Sequence, residues 1–290
     1  MLNKIQPNKM LQIWGLSSIF TAIFCVFLRL LCLTFFYDSK IGYYDSGAFL
    51  PLIAQALPIV FVAVALVLWM IPTLRPAPNE AVNCRHTNFL AMFPAIGFSA
   101  YTITCLIAVY NTIISGISLG LINIISIITT VCASAFFWLI FAGKTGTGIY
   151  VGTGTALIVR LLLMLAESYF DIQVQMNAPN KTVFQFAVLS AMLLTVNELR
   201  VDQPIIKPMF HLFSTSVAVI FTTLSSIPSI ISYFAGNMPQ NYNVLFYDII
   251  LFLFAIYAIA RLCQLCFFHN CKLETEPEGS DGNDTLPTDE

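Results

Sequence analysis

The sequence predicts an all-α polytopic integral membrane protein of about eight transmembrane helices, with both termini cytoplasmic. Composition, the spacing of apolar runs and the placement of basic residues carry that expectation. Of 290 residues, 58% are apolar and 10% are charged, whereas an ordinary soluble domain carries about 25% charged residues. A mean hydropathy of +0.82 describes a surface suited to lipid rather than water. A helix needs about 20 mostly apolar residues to cross roughly 30 Å of hydrocarbon. Stretches of that kind lie at roughly 11–36, 49–71, 89–111, 116–142, 148–170, 182–199, 208–235 and 243–268. The runs are too long, and alternate too little, for barrel strands of about 9–11 residues.

The first run follows Lys4 and Lys9 and is much longer than the apolar region of a signal peptide, so it reads as a retained anchor. The second holds Pro51 and Pro58, the third Pro94 and the seventh Pro228. Each proline removes a backbone hydrogen bond, so local breaks are expected there, and broken helices frame binding sites in many transporters. Only Asn111, Thr112, Ser115 and Gly116 separate the third and fourth runs. Because 89–142 is too long for one crossing, a tight hairpin is expected between them. The fifth run begins GKTGTGIYVGTGTA, where Gly148, Gly152 and Ala156 fall four apart and form a face with almost no side chain. Such a face lets a neighbouring helix approach closely. The stretch lacks the glycine spacing and terminal lysine of a phosphate loop.

Orientation follows from the excess of Lys and Arg on cytoplasmic loops. With both ends inside, the inner side receives Lys4, Lys9, Arg75, Arg85, Lys144, Arg200, Lys207 and Lys272, and the outer side receives Lys40 and Lys181. That bias also supports an even number of spans. Residues 1–271 form the transmembrane domain. Residues 272–290 are acidic, rich in breakers and nearly free of apolar residues, and read as a disordered cytoplasmic tail. The expected location is a cell membrane, most simply a bacterial inner membrane.

Charge within hydrocarbon is expensive and invites a functional reading. Arg160 lies near mid-depth of the fifth run, and Glu167 follows two turns later on nearly the same face. Arg29 lies in the outer half of the first run, Asp45 just beyond it, Asp171 at the outer end of the fifth and Asp248 near the outer start of the eighth. Together, Arg29, Asp45, Arg160, Glu167, Asp171 and Asp248 outline an outward-facing polar cavity, for which packing salt bridges are the structural alternative. The outer loop YFDIQVQMNAPNKTVFQF concentrates Gln173, Gln175, Asn177, Asn180, Lys181 and Gln185 between aromatic residues, and could cover that cavity or be an ordinary turn with an aromatic belt. Its Pro179 argues against helix there. At the cytoplasmic end of the sixth run, Asn197, Glu198 and Arg200 mark a candidate inner mouth, or simply a polar helix end.

Eight cysteines are scattered along the chain. Cys25, Cys32, Cys105 and Cys132 read as small apolar fillers. Cys263, Cys266, His269 and Cys271 could offer soft metal ligands, with Cys84 and His86 as further donors. Because the first pair falls on a helix and has no second pair, ordinary juxtamembrane cysteines are the favoured reading, ahead of a metal or redox role and of lipidation.

The loops leave no room for a folded soluble domain, which excludes kinase, ATPase and nucleic-acid modules. Nothing in the sequence calls for a cofactor. HExxH is absent, and His86, His211 and His269 all fall near the inner face. The spans alone suit a non-catalytic subunit, sensor or assembly component, with the bilayer, a membrane partner or a second copy as neighbours. A transporter or permease for a small polar or anionic solute would use the cavity around Arg160 and Glu167, and an intramembrane enzyme would use its acidic residues.

Overall fold

The computed structural model describes residues 7–38, 42–45, 47–70, 85–116, 118, 120–171, 178–200, 208–236 and 242–267. It is a helical bundle. In chain order the elements are α1 (Pro7–Phe35), the strands β1 (Tyr37–Asp38) and β2 (Tyr43–Tyr44), α2 (Phe49–Met70), α3 (Arg85–Leu90), α4 (Met92–Ile114), α5 (Leu121–Phe141), α6 (Gly148–Phe170), α7 (Pro179–Glu198), α8 (Pro208–Phe234) and α9 (Tyr242–Phe267). Seven of the long helices are apolar and long enough to cross a membrane. The eighth, α7, carries Asn180, Lys181, Asn197 and Glu198 at its two ends. The chain is therefore an all-α polytopic membrane protein with seven to eight long apolar helices. The acidic tail expected at 272–290 lies outside the described residues.

The helix ends have local causes. Pro51 and Pro94 occupy the third position of α2 and α4, where a backbone N–H has no intrahelical acceptor in any case. Pro179, expected to oppose helix, is the first residue of α7, and its fixed φ suits that position. Thr147 caps α6 by accepting from the Tyr150 amide at 3.2 Å. The hairpin between the third and fourth runs is present, but α5 starts at Leu121 because Gly116 leaves α4 in the left-handed region at φ 71°. Gly143, at φ 69°, ends α5, and the Lys144 amide reaches back to the Leu139 carbonyl at 2.9 Å. Helices α2 and α8 run unbroken through Pro58 and Pro228, so the expected interruptions do not occur there.

α8 is the central helix, packed against α1, α7 and α9, whereas α2 is peripheral. Its buried Ser214, Thr215, Ser216, Thr222, Thr223 and Ser226 return their hydroxyls to carbonyls of the preceding turn. Small side chains with internally satisfied hydroxyls allow close helix approach in lipid. The Trp14 indole N–H donates to Ser216 Oγ at 2.9 Å and ties α1 to α8. Gly15 of α1 meets Cys266 of α9 so closely that an added Cβ would lie 2.8 Å from its side chain. In the segment YDSKIGYYDSG, β1 and β2 pair antiparallel, Tyr37 opposite Tyr44.

Candidate solute cavity

An open cavity of about 760 Å³ lies at the end of the bundle predicted to face outward. The C-terminal parts of α4, α6 and α8 and the N-terminal parts of α5, α7 and α9 surround it. Its size falls within the roughly 300–1,000 Å³ of small-molecule sites. Of the residues expected there, Glu167, Asp171 and Asp248 line it, and so do Asn180 and Lys181 of the polar loop. Residues 172–177, with Gln173, Gln175 and Asn177, lie outside the described residues.

Arg160 stands behind the cavity wall. It is fully buried, and its guanidinium donates to Glu167 Oε1 at 3.3 Å, Tyr101 Oη at 3.2 Å and Tyr247 Oη at 3.1 Å. It also lies 5.3 Å from the Tyr101 ring centre and 5.6 Å from that of Tyr247, within reach of a cation–ring attraction. The Tyr247 hydroxyl donates to the second Glu167 oxygen. Two tyrosines and a carboxylate thus replace the water the arginine would lose. The Glu167 side chain, 38% exposed, presents that arrangement to the chamber.

Arg29 is buried beside the same end. Pro228 has no N–H to give the Leu224 carbonyl four residues earlier, and an Arg29 guanidinium nitrogen donates to that carbonyl instead. A second nitrogen donates to Asn180 Oδ1 at 3.0 Å. Tyr44 and Asp248 also lie within electrostatic range of this charge. Burial raises the Tyr44 phenol above its ordinary value, and Arg29 pulls the other way. Asp45 does not join the cavity: it is exposed, with its amide bonded to the Phe36 carbonyl, because the β ribbon turns it away. The Lys181 ammonium donates to the Asp171 backbone carbonyl at 3.0 Å.

At the opposite end of the bundle the described residues form a buried ionic cluster. Glu198, 1% exposed, receives Arg261 Nε at 2.8 Å and Nη2 at 2.6 Å. His211 Nε2 lies 3.4 Å from Glu198 Oε1. Arg261 also donates to Gln264 Oε1 at 2.7 Å, and Tyr150 Oη donates to the Glu198 backbone carbonyl at 3.2 Å. The Asn197 amide is turned into its own helix, donating to the Leu193 carbonyl at 2.9 Å, and Arg200 is exposed. Of the three residues expected to form an inner mouth, Glu198 is thus buried in an ionic cluster between α7, α8 and α9, and Asn197 is buried against its own helix. Sequence reasoning passed over Arg261, although it satisfies the same test as Arg160, a charge inside an apolar run. Tyr101 and Tyr247 carried no such signal, because tyrosine is ordinary in membrane helices.

The small-residue face behaves differently from expectation. A Cβ added to Gly148 or Gly152 would meet nothing within 4 Å, and neither residue packs against another described helix. The close approach is at Gly154, where a Cβ would lie 2.4 Å from Leu199 and 2.8 Å from Phe136. Ala156 is half-buried. Among the described residues no group of three His, Cys, Asp or Glu side chains is placed to hold a metal. Cys266 is buried against α1, and Cys263 is half-buried. His269, Cys271 and Cys84 lie outside the described residues, and so does the side chain of His86. Cys25 and Cys32 are buried fillers as expected, but Cys105 lines the cavity. No family model, curated protein or solved structure matches this chain.

Proposed function

We propose that this chain is a transporter or permease for a small polar solute, in a state open at the outer end and closed at the inner end. The observation that carries the reading is the chamber at the end of the bundle predicted to face outward, where charged groups are set among apolar side chains and Glu167 is presented on the wall, backed by the buried Arg160. A protein acting only as a structural subunit or assembly factor has no use for an open polar chamber among its spans, where each polar group is costly to keep. The buried Glu198–Arg261 pair, with His211 beside it, supports a closed inner end. Access from the inner face would require that seal to part. His211 belongs to that far end, so the chamber holds carboxyls and hydroxyls but no histidine base among the described residues, which places the enzyme reading below transport. Both termini on the cytoplasmic side, eight crossings and a bacterial inner membrane complete the proposal.

The test uses purified protein in lipid nanodiscs and a panel of amino acids, amines, organic acids and sugars. One chemical class should raise the thermal unfolding midpoint, by about 2.7 kcal/mol of stability at 100-fold excess over Kd. That shift should shrink in Glu167→Gln relative to its own ligand-free midpoint. Proteoliposomes should then accumulate the same solute. Absence of any stabilising class, or an undiminished shift in Glu167→Gln, would contradict the reading.

A further inference from the structure

We propose that the cavity takes an organic cation, a protonated amine on an apolar body, with Asp248 as its counter-ion. This rests on the solute-cavity reading above and names the class of solute.

Among the described residues, the charges around the chamber are engaged except that of Asp248. Glu167 is held by Arg160 and Tyr247. Lys181 donates to the Asp171 carbonyl, and Arg29 to the Leu224 carbonyl and Asn180. Asp248 lines the cavity and is 5% exposed, yet among the described residues no hydrogen bond reaches its carboxyl and no cation lies within 4.0 Å of it. Arg29 acts on it electrostatically, without an ion-pair contact. A buried carboxyl without donors is expensive, and a ligand N⁺–H arriving through the chamber would supply both donor and counter-charge.

The rest of the wall fits the same ligand. Glu167 is already paired with Arg160, so the carboxyl that a solute meets without a donor of its own, among the described residues, is that of Asp248, which draws a cation rather than an anion. Phe184 packs 6.2 Å from Tyr247, and Phe246 packs 6.2 Å from Tyr101, ring centre to ring centre. Aromatic faces at such a site attract cations and tolerate apolar groups. Across the chamber, Val109, Ile122 and Ile127 offer an apolar wall for the body of the ligand.

Equilibrium binding in nanodiscs should compare three probes of one shape: phenethylamine, phenethyl alcohol and 3-phenylpropionate. The amine should bind at least tenfold tighter than either relative. Asp248→Asn should abolish that preference, and Asp248→Glu should keep it. The three-probe comparison on the unmodified protein stands even where Asp248→Asn does not fold. Equal or tighter binding of the alcohol or the acid overturns the cation assignment and leaves the solute-cavity reading intact. An amine preference that survives in Asp248→Asn overturns the role of Asp248. If none of the three binds while another class from the wider panel does, the amine assignment alone fails. If nothing in that panel binds either, both readings fail.

Discussion

Arg29 and Pro228 solve a problem together. The proline leaves the Leu224 carbonyl without its helical donor, and the arginine supplies one from another helix. Arg29→Met should cost about 1–3 kcal/mol by stranding a buried acceptor. Pro228→Ala in the same chain should recover part of that loss, because the restored amide bonds the carbonyl from within α8. A double-mutant cycle on unfolding in detergent measures the coupling; simple additivity would contradict this account. At the other end, Arg261→Leu should destabilise by about 3–5 kcal/mol, since it leaves Glu198 buried and unpaired. Adding Glu198→Leu should restore much of the stability, as equilibrium unfolding of the single and double variants would show. At this scale the charged residues were legible because ionised groups are rare in apolar runs. Arg160 with Glu167 could be paired by helical spacing alone. Tyr101 and Tyr247 reach Arg160 from α4 and α9, and no spacing rule connects residues so far apart in sequence.

At the scale of the helix, most boundaries could be read from where apolar runs meet glycine, proline and charge. Which face of each helix turns inward could not. In lipid both the core side and the outer side are apolar, so the contrast that phases a soluble helix is missing. That is why Gly148, Gly152 and Ala156 drew attention as a packing face while Gly154, between them, makes the close contact. Gly154→Val should therefore destabilise by about 1–3 kcal/mol through overpacking against Phe136 and Leu199. Gly152→Val, on the open face, should fall within about 0.5 kcal/mol of the parent. Thermal unfolding of the two variants checks this directly, and equal costs would refute the assignment of faces. The same blindness hid the role of α8. Its run of Ser and Thr was visible in the sequence, but its central position comes from packing that only the assembled bundle shows.

Across the whole bundle, a chamber with charged groups on its wall and a buried ionic cluster lie at opposite ends of the described residues. The basic residues predict the orientation of that axis, and reporter fusions to the two ends of the chain should both report the cytoplasmic side; opposite sides would overturn the eight-span reading. Of Arg29, Asp45, Arg160, Glu167, Asp171 and Asp248, which the sequence groups in the middle or outer half of their spans, the three that line the cavity, Glu167, Asp171 and Asp248, were legible as charges in or beside apolar runs. The volume and aromatic wall of the cavity were not, because they depend on which helices are neighbours. Water and small solutes are expected to reach this chamber from one face, and native cysteines report that access. A variant retaining only Cys105, which lines the cavity, should react rapidly with a membrane-impermeant charged thiol reagent added at the outer face, and slowly from the inner face. A variant retaining only the fully buried Cys25 should stay unlabelled. Failure of Cys105 to react from the outer face, or equal reaction of the two variants, would contradict the account.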